Sequence, residues 1–180
     1  MVLWVTAQRN LHRRYLHKQD VQMRMARTIL VPIEGSPLST KALELALTDY
    51  PDADVVVCHV MDPIGSGFGL FEVMRPRFDD GSPPGSVSPE YWREWHEKAR
   101  ERADEVFEDG RALADEHDRD IETVLEFGEP DSVIVEYAET HDVDRIVMGS
   151  HCRTGAERFL VGSVAKKVIN RAPVPVMVVR

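Results

Sequence analysis

The chain has 180 residues, 43% of them hydrophobic and 29% charged, with a formal net charge of −9. That is enough chain for one domain with a sizeable core, and no run approaches the roughly 18 consecutive apolar residues that a membrane helix needs. The two cysteines, Cys58 and Cys152, make neither a disulfide framework nor a metal-binding spacing, so a reducing, cytoplasmic setting is expected.

Residues 1–26 do not match the rest. Up to Arg27 the chain carries six Lys or Arg and one acid, Asp20, leaving 16 basic and 30 acidic side chains for the other 153 residues. Residues 1–26 show no clean amphipathic period, and no apolar region follows Arg13-Arg14 as an export signal requires. They are either an extension upstream of a start at Met23 or Met25, or a disordered basic arm. The domain is expected over residues 27–180. Its acidic, lysine-poor composition suits high salt and fits either a halophilic, haloarchaeal source or an ordinary acidic cytosolic protein. It presents no broad basic face to nucleic acid.

From Thr28 onward, short apolar runs alternate with helical patterns. Thr28–Ile33 reads as a buried strand. Ser36-Pro37 then supplies an N-cap and first-turn pair for a helix with Leu38, Ala42, Leu45 and Ala46 on one face. Asp54–Val60 reads as a second buried strand. Residues 62–88 form a long loop rich in glycine and proline, whose Phe68, Leu70, Phe71, Met74 and Phe78 can cover an apolar surface or a ligand. Ser88-Pro89 opens a long helix with an inward stripe at Trp92, Trp95, Ala99, Ala103, Val106, Gly110 and Leu113. Ile121–Phe127 alternates, as an edge strand with one wet side does. Pro130 opens a helix with Val133, Ile134, Tyr137 and Ala138 inward. Arg145–Met148 is the fourth strand. A last helix turns Val161, Val164, Ala165, Val168, Ile169 and Ala172 inward. Val174–Val179 is the fifth strand.

Five strands alternating with four helices predict an α/β fold, an open parallel sheet with helices on both faces. Pro175 lacks a backbone donor, which puts the last strand at an edge. This apolar edge is a pairing surface, and a homodimer through residues 174–179 is expected.

In such sheets ligands bind at the carboxyl ends of strands where strand order reverses. The segments concerned are Ile33-Glu34-Gly35-Ser36 and "MGSHCRTGAERFLVGS" at 148–163. Gly149 and Gly162 allow close backbone approach to a phosphate, and the amino end of the last helix favours an anion. The Ser163 hydroxyl can cap its own helix or donate to a phosphate. The structural alternative is that Gly149 merely ends a strand and Gly162-Ser163 merely starts a helix. A Walker A loop is absent.

The 148–163 stretch, together with "ILVPIEGSPLSTKAL" at 29–43, "VVVCHVMD" at 55–62 and "APVPVMVV" at 172–179, resembles the universal stress protein (UspA) family over about residues 27–180. The resemblance implies a Rossmann-like sheet of order 3-2-1-4-5 and a dimer. It further implies ATP, with or without Mg2+, in members that carry G-x2-G-x9-G-[ST]. Here Gly149, Gly162 and Ser163 match, while Cys152 replaces the second glycine and Glu34 stands where aspartate is usual. A cysteine at a positive-φ position costs about 1 kcal/mol or more. Pro32, Ile33, Val60, Met148 and Val164 match positions around the nucleotide, and Arg153 can offset phosphate charge. The implied function is adenine-nucleotide binding in a stress response. No positioned general base is evident, so turnover is expected to be absent or slow. The alternative is a dimeric interaction protein whose 149–163 loop is structural. His59 reads as a hydrogen-bonded core histidine and His151 as a structural loop residue. Cys152, beside Arg153 and near a helix amino end, is either a neutral replacement for glycine, the reading favoured, or a reactive thiol.

Overall fold

The computed structural model describes residues 28–62, 89–150 and 161–180. The long loop beyond Asp62, the extension at 1–26, and Cys152 and Arg153 therefore lie outside the described residues. In chain order the elements are β1 (Thr28–Pro32), α1 (Pro37–Asp49), β2 (Asp54–Met61), α2 (Pro89–Glu116), β3 (Glu122–Phe127), α3 (Pro130–Thr140), β4 (Arg145–Gly149), α4 (Ser163–Arg171) and β5 (Val176–Val179). The strands form one sheet in the order β3-β2-β1-β4-β5, parallel throughout. This is the expected sheet, with β3 and β5 at its edges. Strand order reverses between β1 and β4.

Both sheet faces are covered, which is why the central strands read as unbroken apolar runs. Ile29, Val31, Val55, Val57 and Val147 point into one core with Ala42, Leu43, Ala46 and Leu47 of α1 and Ala103, Val106 and Phe107 of α2. Leu30, Val56, Cys58, Ile146 and Met148 point the other way, against Ile134, Tyr137 and Ala138 of α3 and Ala165 and Val168 of α4. Each fully buried Leu, Ile or Val contributes roughly 1.5–3 kcal/mol.

Several expected stripes are rotated or shortened. On α1 the buried positions are Ser39, Ala42, Leu43, Ala46 and Leu47, whereas Leu38 and Leu45 are only half-buried. Trp92 and Ile169 were expected inward but are exposed at 40% and 45%. β5 begins at Val176, so Val174 and Pro175 precede the strand. Pro175 still binds the sheet by accepting from the Ile146 N–H at 3.0 Å.

Local chemistry fixes the element ends. Ser36 caps α1: its hydroxyl accepts from the Ser39 N–H, while the Ser39 hydroxyl accepts from the Ser36 N–H. This reciprocal box satisfies two otherwise orphaned donors. At the other end, the Arg119 guanidinium donates to the carbonyls of Leu47 and Tyr50, each at 3.2 Å, placing a cation where the helix dipole is negative.

Candidate functional site

The turn from β1 into α1 is held from two sides. The Ile33 N–H donates to the Cys58 carbonyl at 2.8 Å, and His59 Nδ1 lies 2.7 Å from the Ile33 carbonyl. An imidazole nitrogen facing a carbonyl must carry the proton, so Nδ1–H donates. His59 is buried. Burial pushes its pKa down, the Ile33 hydrogen bond opposes this, Arg102 adds to the lowering, and Glu34 opposes it. Next comes Glu34, an exposed side chain whose carboxylate accepts from the Ser36 hydroxyl. Gly35 follows with φ at +80°, a backbone region in which an L side chain is strained.

Across the reversal point, β4 ends at Gly149. A Cβ there would lie 2.7–2.8 Å from the Leu38 carbonyl group and the Ser39 nitrogen. The missing side chain therefore makes room for the first turn of α1 to cross β4. Ser150, also buried, anchors the chain twice: its N–H donates to the Val179 carbonyl at 3.0 Å, and its hydroxyl accepts from the Gly162 N–H at 2.9 Å. The two ends of the 149–162 segment are thereby pinned together. Gly162 is the N-cap of α4 and Ser163 its first residue, with no side-chain cap. The first N–H groups of α4 have no partner within the helix, by its geometry.

Between these two segments runs an apolar floor. Val60, Val161 and Val164 are half-buried and pack on the α3–α4 core, where Met148 is buried; Pro32 is buried at the end of β1. The same helices are tied by charge: buried Asp131 accepts from Lys167 at 2.9 Å and from Arg171 at 3.0 Å, and Lys167 also reaches Glu129 at 2.6 Å. Hydrogen bonds to Glu129 and then Asp131 push the Lys167 pKa up. The site thus has an apolar floor, an acid beside the β1 turn and, next to the end of β4, the amino end of α4.

The universal stress protein family matches residues 70–180, and a universal stress protein of Methanocaldococcus jannaschii is 34% identical over 154 residues, covering 84% of this chain and 81% of its own. The chain belongs to the universal stress protein family. Among solved structures, the universal stress protein UspA of Lactobacillus plantarum superposes with a TM-score of 0.64 at 22% identity, covering 86% of this chain and 98% of its own. A universal stress protein family protein of Arabidopsis thaliana, solved with AMP bound, superposes with a TM-score of 0.55 at 17% identity, covering 84% and 90%.

Of the site residues read from this universal stress protein's sequence, Pro32, Ile33, Glu34, Val60, Met148, Gly149, Gly162, Ser163 and Val164 lie at the carboxyl ends of β1, β2 and β4 or at the head of α4. Cys152 and Arg153 fall outside the described residues. Sequence reasoning missed the Ser150–Gly162 clasp, because a hydrogen bond spanning 12 positions leaves no local pattern. It also missed the Asp131–Lys167 tie, although an acid in the first turn of a helix was a visible signal. His59 is the hydrogen-bonded core histidine expected. The other cysteine, Cys58, is buried; burial and then Glu126 push its thiol pKa up to about 12, so it is chemically quiet. Among the described residues no helix is long and apolar enough to cross a membrane, and no group of three or more metal-ligating side chains gathers.

Proposed function

We propose that this universal stress protein binds an adenine nucleotide, ATP in the first instance and with or without Mg2+, across the ends of β1, β2 and β4. The observation that carries the reading is the apolar floor of Val60, Met148, Val161 and Val164 lying on the same sheet face as the head of α4. A flat adenine fits the floor, since such pockets are largely apolar with a few directional polar groups. The phosphates fit the first N–H groups of α4 and the Ser163 hydroxyl, where the helix dipole favours an anion. Arg153 adds positive charge, and Cys152 takes the place of a loop glycine. Glu34 reaches the ribose hydroxyls, for which it must leave Ser36. The AMP bound by the Arabidopsis relative supports this choice of ligand. The protein acts by binding and signalling in a stress response, in the cytoplasm, with little or no turnover. The working unit is residues 27–180, paired with a second copy through the β5 edge.

Two observations favour a second reading, a dimeric interaction protein that holds no nucleotide. Gly149 already has a packing role against α1, and Glu34 already has a partner in Ser36. Calorimetric titration of the nucleotide-free protein with ATP, ADP, AMP and GTP separates the two. The nucleotide reading expects saturable binding of the adenine nucleotides at one per chain and weaker binding of GTP. Absence of heat with all four, with and without Mg2+, supports the second reading.

A further inference from the structure

We infer that His59 is a positioning residue for this site: from beneath the sheet end, its imidazole sets the peptide plane on which Glu34 is mounted. The inference rests on the nucleotide reading above. A peptide unit is rigid and planar, so the Ile33 carbonyl and the Glu34 N–H move as one body. The carbonyl side of that plane is held by His59 Nδ1–H at 2.7 Å. On the other side, the Glu34 N–H faces the Ser39 hydroxyl, a long contact at 3.5 Å. Of the two, only the His59 contact is short enough to fix the plane.

The surroundings keep His59 in that role. Its Nε2, the proton-free nitrogen of this tautomer, lies 3.2 Å from Met61 Sδ in a packing contact, since neither atom then has a proton to donate. The Phe107 ring meets the imidazole edge-on at a centroid distance of 6.3 Å. The charged groups that act on it are Arg102 of α2, which disfavours a second proton, and Glu34, which favours one. The neutral ring has one donor, and the Ile33 carbonyl takes it. Beyond Glu34 the backbone turns at once through Gly35 into the capping box of α1. A tilt of the Ile33–Glu34 plane therefore has little room to dissipate except by moving the Glu34 carboxylate.

The experiment is a set of ATP titrations on folded, full-length protein: wild type, His59→Asn, His59→Leu, Glu34→Ala and the double variant His59→Leu with Glu34→Ala. Asparagine can place a donor where Nδ1 stands; leucine fills space without one. The expected result is affinity within about threefold of wild type for His59→Asn and a loss of about tenfold for His59→Leu, the scale of one buried hydrogen bond. On the Glu34→Ala background the same leucine substitution should cost no more than about twofold, because His59 acts through Glu34. Equal affinities for wild type, His59→Asn and His59→Leu overturn the inference and leave His59 as core filling. So does a full loss on the Glu34→Ala background. If wild type itself binds no ATP, the nucleotide reading fails first and the inference falls with it. Should His59→Leu not fold, a His59→Asn variant that folds but binds ATP more than tenfold weaker overturns the inference as well.

Discussion

The two faces of the sheet are built on different terms. On the α1–α2 face, helix and strand touch backbone to backbone at Gly149, and the core is almost wholly aliphatic and aromatic. On the α3–α4 face the upper part of the core is a row of half-buried valines, and the helices are tied by a buried carboxylate shared between two cations. The first face closes itself with short contacts. The second is held in place by charge while its upper floor stays half-covered. A ligand needs a preformed but unfilled surface, and the half-buried valines of the second face offer one beside the strand ends where the sheet order reverses.

The largest expected effect comes from closing the tight face more tightly. Gly149→Ala puts a methyl group within 2.8 Å of α1 backbone atoms, and backbone cannot swing aside as a side-chain tip does. Overpacking of this kind should cost about 3 kcal/mol in urea unfolding. A cost below about 1 kcal/mol would show that α1 rides more loosely on β4 than the contact implies. On the other face, Asp131→Ala removes the shared carboxylate. Fully buried pairs lose about 3–5 kcal/mol on such a cut, but Lys167 and Arg171 are half-exposed and can turn to water, so about 2 kcal/mol is expected. Urea midpoints at low and high salt check it, with a smaller loss in high salt where the pair is screened.

Glycine in α2 sharpens the contrast. Gly110 lines a narrow cleft with Leu43, Val106 and Leu113, and a Cβ there would meet Leu43, Ile121 and Ile33 at 3.5–3.8 Å, ordinary contact distances. Gly110→Ala should therefore stabilise by about 1 kcal/mol through helix propensity. The same substitution thus has opposite signs at two glycines on one face. A destabilised Gly110→Ala protein would mean that the cleft is needed open.

The smallest effect is the pH dependence from His59. Burial lowers its pKa in the folded protein, so the folded state binds fewer protons than the unfolded chain, whose histidine titrates near ~6.5. This contribution is fully present above that value and is lost as pH falls below it toward the folded pKa. Urea unfolding between neutral and mildly acid pH should show a shallower loss for His59→Asn than for wild type. Equal slopes would mean that His59 takes up its proton as readily folded as unfolded.

Much of this was legible in the chain. The continuous apolar runs of β1, β2 and β4 announce a parallel sheet covered on both sides, and Ser36-Pro37 and Pro130 mark helix starts where they occur. The rotation of α1 was not legible. Leucines at 38, 43, 45 and 47 allow either of two buried faces, and the choice is made by the approach to Gly149, which is distant in sequence. Ile169 looks inward by spacing but is exposed on α4, whose buried positions are Ala165 and Val168. At the site, residue types at the strand ends could be read directly. What fixes their positions, His59 under Ile33 and Ser150 on Gly162, depends on contacts 26 and 12 residues apart.

The most direct test of the central claim is to purify the protein in high salt with no added nucleotide, denature it, and identify what is released by ion exchange with mass detection. The account predicts ATP, ADP or AMP approaching one per chain. A protein that releases no nucleotide and fails to take up ATP after purification would contradict it, and would leave the 149–163 segment as a structural link between β4 and α4.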